Sequence, residues 1–419
     1  MKALLESVNL DYKYSLNTLS SPVNVYLKVT GTCDLRCTFC SQYNEKVYNM
    51  PIDSAKKLLK ELKDIGVISI TYTGGEPLLY KHIKDLLKYG YELGFEQTLV
   101  TNGVHLFDDE DLLKYINIIG ISLHGEEETH DRLCRKTGVY NIVTKNINRL
   151  IEDYKNIKVL INYTLSKDSI NDKDINSVVS FAKDKKINLC FGRINYIGAS
   201  LNSDIIKPDS YLEKINKASS IYDNITVSNC IIPCAVSSKY EHLTHSCGAG
   251  QTMYSVEANG DVKICPSSTF ILGNAFKNGF LKTIKSKYIK KFHELSWLPN
   301  VCMLCKKFPS CKGGCHAEGN REFFNNTCDA ILLNKLDKVW EEIKNKKIVS
   351  KNYMIKKEKK SYLIIKVPLR KINYTGYNLL KKIDGSKTAQ ELLEKNSNIY
   401  NVRDFIITLY LENMIKVVE

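Results

Sequence analysis

Long apolar runs are missing from this chain of 419 residues. None approaches the roughly 18 consecutive residues that a membrane-spanning helix needs, so no transmembrane helix and no membrane partner are expected. A secretory signal is missing too, because Lys2 and Glu6 bring charge into the first residues. There is no internal repeat and no low-complexity stretch. Acidic residues are in deficit, with 46 Asp and Glu against 60 Lys and Arg and a formal charge of +14. A composition of 43% hydrophobic and 25% charged residues is that of a folded protein and excludes disorder over most of the length. These absences point to the cytoplasm, where structural disulfides are rare. Cysteine, in contrast, is abundant. Fourteen cysteines in a reducing compartment need another explanation, and metal binding comes first.

The charge is unevenly spread. Residues 341–371 hold eleven basic against three acidic side chains, while 372–419 balance at six against six. Such a band reads as a nucleic-acid surface, an acidic-peptide surface or a solvated linker, and charge alone does not choose.

Residues 20–200 alternate β-rich runs with amphipathic helical patterns. Strands are expected at Val23–Val29, Val67–Tyr72, Gln97–Val100, Ile116–Leu123, Lys158–Leu165 and Leu189–Tyr196. Six strand-then-helix units imply a parallel sheet with right-handed crossovers, an α/β partial (β/α)6 TIM barrel that falls short of the eight units of a closed one. Chemistry in such folds sits at the carboxyl ends of the strands. The expected organisation is a lead-in over 1–20, the barrel over 21–225, a cysteine-punctuated region over 226–345 and a small α+β domain over 349–419. In that last part, Tyr353–Lys357 and Tyr362–Val367 read as a hairpin. Asp384-Gly385 stops one helix, Thr388 with Glu391 forms a capping box for a second, and Val402, Phe405, Ile406 and Leu409 give a third a buried face.

The strongest local motif is Cys33-Asp34-Leu35-Arg36-Cys37-Thr38-Phe39-Cys40, just after the first strand. Three thiolates in one loop can hold three irons of a [4Fe–4S] cluster and leave the fourth open, which is what a catalytic site needs. A zinc knuckle or redox loop is the competing reading. At this point the sequence resembles the radical S-adenosylmethionine (SAM) enzymes. The resemblance implies that the open iron chelates SAM, whose reductive cleavage yields a 5′-deoxyadenosyl radical. Phe39 matches the aromatic residue before the third cysteine. Gly74-Gly75-Glu76-Pro77 matches the motif that binds the SAM amino group, with glycines for close backbone approach and a carboxylate to accept from an ammonium. Thr101-Asn102-Gly103 and Ser122 fall where that family contacts SAM, and Arg135 is the candidate partner of the SAM carboxylate.

Further on, Cys247, Cys265, Cys302, Cys305, Cys311, Cys315 and Cys328 resemble the SPASM extension of that family, which carries two auxiliary [4Fe–4S] clusters. The resemblance assigns Cys302, Cys305, Cys311 and Cys328 to a distal cluster, and Cys247, Cys265 and Cys315 to a proximal one. Cys234 is the expected fourth proximal ligand, with Cys230 as runner-up and an open iron as the alternative. Three clusters and SAM are therefore the implied cofactors. Cys134 and Cys190 are expected to pack as apolar side chains.

The C-terminal domain resembles the RiPP recognition element, a winged-helix-like module that binds the leader of a ribosomally made precursor peptide. The expected mode is β-augmentation on the strand at Tyr362–Val367, with nearby lysines favouring an acidic leader. A winged-helix DNA-binding module is the rival, though nucleic acid is not the expected partner.

The sequence thus reads as a radical SAM/SPASM maturase of a precursor peptide, drawing electrons from a donor such as flavodoxin or ferredoxin. A thioether crosslink is favoured. Carbon–carbon or carbon–oxygen crosslinking, epimerisation, and a sulfatase-maturase-like oxidation of Cys or Ser remain open, as does a non-catalytic iron–sulfur or zinc protein that binds nucleic acid. No catalytic acid or base can be nominated from the sequence.

Overall fold

The computed structural model describes residues 19–42, 47–194, 206, 208–228, 230–233, 236–293, 307–311, 313–315, 339–351, 353–357, 362–365, 370–372, 374–397, 399, 402–411 and 414–418. Cys234, Cys302, Cys305 and Cys328 lie outside these residues. The described residues within Asn17–His293 and Gly314–Gly319 form one compact unit, and those within Glu294–Gly313 and Asn320–Glu419 form a second.

The first unit is built on six parallel strands: β1 (Asn24–Thr30), β2 (Ser69–Gly74), β3 (Glu96–Thr101), β4 (Ile118–Ser122), β5 (Lys158–Leu165) and β6 (Asn188–Arg193). Their apolar residues are buried because helices cover the sheet, the usual condition of parallel strands. Helix α1 (Ile52–Asp64) shows how the pattern works: Ala55, Leu58, Leu59 and Leu62 recur at helical spacing and are all buried. Helices α2 (Ile83–Glu92), α3 (Glu127–Cys134), α4 (Val139–Asp153) and α5 (Asp172–Lys185) complete the crossovers, and a short 3₁₀ turn at Glu110–Tyr115 replaces a full helix between β3 and β4.

The sheet is wider than the six expected strands. On the β6 side, α6 (Pro208–Ser219) leads to a parallel β7 (Ile225–Val227). On the other side, β8 (Met253–Val256) pairs parallel to β1, followed by antiparallel β9 (Asp261–Lys263) and β10 (Ile271–Asn274). The cysteine-rich region thus shares the barrel sheet instead of resting on metal alone. Glu61 of α1 reinforces the join: its carboxylate accepts the backbone N–H groups of Phe280 and Leu281 at 3.0 and 2.9 Å.

The second unit has a separate apolar core around Trp340, Ile343, Ile348, Leu380, Phe405 and Ile406. Strand β11 (Lys347–Ser350) is the centre of a sheet with β15 (Asp384–Thr388) and β16 (Ile415–Val418). The core therefore recruits residues before position 349, where the sequence placed the domain boundary. Helices α7 (Tyr374–Lys381), α8 (Ala389–Glu394) and α9 (Val402–Leu411) follow the expected order. The Thr388–Glu391 capping box forms with both of its hydrogen bonds.

The hairpin needs one correction. Strand β13 (Tyr362–Ile365) pairs with β12 (Met354–Lys357) on one side and with β14 (Arg370–Ile372) on the other. With both edges hydrogen-bonded, β13 cannot accept another strand. The outer strands of that sheet are β12 and β14. Among the described residues no helix is long and apolar enough to cross a membrane.

Candidate active site at the carboxyl ends of the strands

The carboxyl ends of the barrel strands surround a cavity of about 320 Å³. Cys33, Cys37, Cys40 and Phe39 line it from the loop after β1. The backbone of the α3 C-terminus holds that loop in place: Arg36 N–H donates to the Cys134 carbonyl at 3.3 Å, and Thr38 N–H to that of Leu133 at 2.9 Å. Burial pushes the Cys33 thiol up to about 11, although the Leu35 N–H bonded to its sulfur opposes the shift. A metal must therefore displace the thiol protons on binding. Among the described residues no three Cys, His, Asp or Glu side chains converge closely enough to share one metal ion. An iron–sulfur cluster asks for something different, thiolates spread over separate irons.

Gly74 and Gly75 also line the cavity. A Cβ on Gly74 would run into the Thr30 carbonyl, and one on Gly75 into that of Thr32. Glycine is what lets the two loops touch, with Gly75 N–H donating to Thr30 O at 2.8 Å and Glu76 N–H to Thr32 O at 2.7 Å. Asn102 and Ser122 reach the same cavity from β3 and β4.

Three expected contacts are placed elsewhere. The fully buried Glu76 carboxylate accepts from Thr101 Oγ1 at 2.7 Å, Asn102 N–H at 2.7 Å and Leu78 N–H at 3.1 Å. It ties its own loop to the one after β3 from behind instead of offering itself to an ammonium, and the buried Pro77 beside it does not line the cavity. Arg135 stands outside as well. It is the left-handed cap of α3, with φ of 55°, and its exposed side chain lines a separate depression with Glu126, Glu127 and Glu128.

Burial raises Glu76 to about 7, against the donors that favour its anion. A carboxyl with a raised folded pKa stabilises the fold most below its unfolded value and loses that contribution as pH climbs through the folded one. Between pH 5 and 7 the wild type is therefore expected to lose stability relative to Glu76→Gln. The variant itself, which turns an amide NH2 toward a donor, should cost about 1–3 kcal/mol. Urea unfolding of both proteins across that pH range checks the two statements.

Several cavity residues gave no motif signal. Lys28, inside the apolar run of β1, pairs with Glu257 at 3.0 Å, and Glu257 in turn meets Lys263 at 3.2 Å. All three are largely buried, and Lys28 and Glu257 line the cavity together with Arg193 at the end of β6. The one available clue was a lysine at an inward position of a strand whose neighbours Leu27 and Val29 are fully buried.

A second thiol group lies in the same unit. Cys230 hydrogen-bonds Cys247, with Cys265 and Cys315 close enough to raise its pKa further. Burial, then Cys315 and Cys247, push Cys265 up to about 12. The chain approaches closely here, since a Cβ on Gly314, whose φ is +68°, would meet Ile232 and the Cys230 carbonyl. Among the described residues the thiol beside Cys247 is Cys230, the runner-up in sequence; Cys234 lies outside them. Pro266 and Ser267, next to Cys265, line the cavity, which puts this group at its border. Of the four expected distal ligands only Cys311 is described, at the end of a short helix Phe308–Cys311.

The radical SAM superfamily matches residues 27–182, and the SPASM iron–sulfur cluster-binding domain matches 247–316. The chain carries a radical SAM domain followed by a SPASM domain. Both imply iron–sulfur clusters, and the radical SAM domain implies S-adenosylmethionine. Among curated relatives, the sporulation killing factor maturation protein SkfB of Bacillus subtilis is 31% identical over 36% of this chain and 38% of its own length. The subtilosin biosynthesis protein AlbA of the same organism is 24% identical over 77% of this chain and 74% of AlbA. Fe-coproporphyrin III synthase of Methanosarcina barkeri is 27% identical over 47% of this chain. The chain spans only about half the length of that last relative, 49%. The structure of Streptococcus suis SuiB bound to S-adenosylmethionine shares the radical SAM fold with a TM-score of 0.60, at 22% identity over 72% of this chain and 74% of SuiB.

Proposed function

We propose that this radical SAM/SPASM protein matures a ribosomally made precursor peptide in the cytoplasm by closing a crosslink within it, with a thioether favoured. The observation that carries the reading is the convergence on one cavity of Cys33, Cys37 and Cys40 with Gly74, Gly75, Asn102 and Ser122, bordered by the thiol group of Cys230, Cys247, Cys265 and Cys315. The names of SkfB and AlbA, and a SuiB structure bound to precursor peptide SuiA, support a peptide substrate.

The all-thiol donor sets suit iron–sulfur clusters. Cys33, Cys37 and Cys40 would hold the SAM-binding cluster, Cys230 would complete a proximal auxiliary cluster with Cys247, Cys265 and Cys315, and Cys302, Cys305, Cys311 and Cys328 would hold a third. When bound, the first cluster and SAM supply a 5′-deoxyadenosyl radical able to take a hydrogen atom from an unactivated carbon, with flavodoxin or ferredoxin as the electron source. The chain's own part is to orient and shield. Backbone at Gly74 and Gly75 lies open to a SAM amino group, while Asn102 and Ser122 offer side-chain polar contacts. The buried Lys28–Glu257 ion pair forms part of the cavity wall.

The second unit would grip the leader. Its β12–β13–β14 sheet offers β12 or β14 as the edge for an added strand, followed by three helices in the order of a recognition element. The lysines of residues 341–371 favour an acidic leader.

Mass spectrometry tests the proposal. Candidate precursor peptides encoded beside the gene are incubated anaerobically with reconstituted protein, SAM and reductant. The expected product has lost two hydrogens, with one thiol no longer open to alkylation. The same mass loss with every thiol free would replace the thioether by a carbon–carbon or carbon–oxygen link. Absence of 5′-deoxyadenosine from an iron-replete protein would refute the catalytic reading altogether.

A further inference from the structure

The catalytic cavity has a flank that its glycine and polar motifs leave untouched. Gly74, Gly75, Asn102 and Ser122 come from β2, β3 and β4, on one side of β1 in the sheet, whereas β8, β9 and β10 lie on the other. Ser255 and Glu257 stand two residues apart at the end of β8, on the same face of the strand, and both line the cavity. Ser255 is 1% exposed, and among the described residues its hydroxyl has no hydrogen-bond partner. A buried hydroxyl left unpaired costs free energy that a bound polar group would recover. Next to it, the Lys28–Glu257 ion pair lines both the cavity and a neighbouring depression of about 200 Å³. That depression runs over Lys263 and Asp261 of β9 to Ile271 of β10, the outermost strand of the sheet, and Tyr48 borders it as well.

The charges on its floor are compensated. The Glu257 carboxylate meets both Lys28 and Lys263, and Asp261 accepts from the side-chain amides of Asn259 and Asn274. The rim is apolar and open: Tyr48 and Ile271 are 45% and 48% exposed, and their chain neighbours Val47 and Phe270 are exposed too. A solvent-facing apolar rim of this kind marks a binding surface. At about 200 Å³ the depression is smaller than the roughly 300–1,000 Å³ of a site for a whole small molecule, and it suits one side chain of a longer ligand. Because it shares Lys28 and Glu257 with the cavity, that ligand is a chain that continues into the cavity itself.

We propose that this flank is a specificity subsite for the peptide substrate: Ser255 hydrogen-bonds a backbone group of the reacting segment, and the depression between Tyr48 and Ile271 seats an uncharged, apolar side chain a few positions away in the same peptide. The inference rests on the reading of a peptide as the substrate, and it says where the reacting segment, not the leader, is held.

The test uses the full-length, cluster-loaded protein and the precursor peptide that the wild type modifies in the mass-spectrometric assay. Ile271→Asp places a charge where an apolar side chain should sit, and should raise KM for that peptide by about tenfold or more. Its kcat at saturating peptide should stay within about twofold of wild type, the pattern of lost binding and not of lost chemistry. Ser255→Ala should also raise KM, by about 2–10-fold, without lowering thermal stability, since it removes a hydroxyl that has no partner in the fold. A photo-reactive benzoylphenylalanine at position 271 adds a second measurement that needs no kinetic comparison. It should crosslink the peptide within a few residues of the modified position. An unchanged KM in Ile271→Asp and Ser255→Ala, or crosslinks confined to the leader, would overturn the inference while leaving the peptide reading intact. A wild type that cleaves SAM but modifies no peptide would bring down that reading and this inference with it.

Discussion

Replacing Cys37 by alanine should reduce 5′-deoxyadenosine formation under dithionite by more than about 100-fold. Partners in the outer shell of a metal site typically cost 10–100-fold when removed, and Cys37 is proposed as a direct ligand. Iron should fall by no more than the share of one cluster, because Cys230, Cys247, Cys265 and Cys315 form a separate group. Cys230→Ala makes the informative contrast. It should lose auxiliary iron and the crosslinked product while still releasing 5′-deoxyadenosine. Quantifying iron, nucleoside and peptide mass on the same preparations separates the two roles. If Cys37→Ala cleaves SAM at the wild-type rate, the loop after β1 does not hold the catalytic cluster.

Removing residues 339–419 should lower kcat/KM for a full precursor by about 10²–10⁴-fold, the usual gain from tethering one segment to raise the effective concentration of another. A core peptide without its leader should react equally slowly with both chains, and SAM cleavage without peptide should stay at its basal rate. The cut belongs before Trp340 because Trp340, Ile343 and Ile348 are buried in the core of the second unit. A chain ending at 348 would split β11 and strand Ile348, which is 1% exposed, without its partners β15 and β16. A sulfatase-maturase-like enzyme, which would not depend on this unit, should lose little. Equal rates for full precursor and core peptide in the intact chain would argue against leader recognition here.

Much of the fold was legible in the chain. The six barrel strands lie within a few residues of their expected positions because buried parallel strands read as apolar runs and their helices as 3.6-residue stripes. β8 escaped notice, being four residues, Met253–Val256, whose pairing with β1 spans most of the first unit. The site was legible in proportion to how local its parts are. Cys33, Cys37 and Cys40 share one loop, so their spacing alone identifies them, and Gly74-Gly75 shows as a motif because only glycine fits where two loops touch.

The sequence by itself determined the α/β barrel pattern, the three-cysteine loop, and the capping box near the C-terminus. Each depends on neighbours in the chain, and backbone geometry turns spacing directly into a face or a loop. Only the tertiary structure decided that Glu76 turns inward, that Arg135 caps α3 in solvent, that Lys28 meets Glu257, and that Cys230 is the thiol beside Cys247. It alone placed β13 between two other strands and Cys134 in the cavity that Cys37 lines. These are meetings between segments far apart in the chain. Residue type limits what each partner can do, but burial and packing choose which partner it meets.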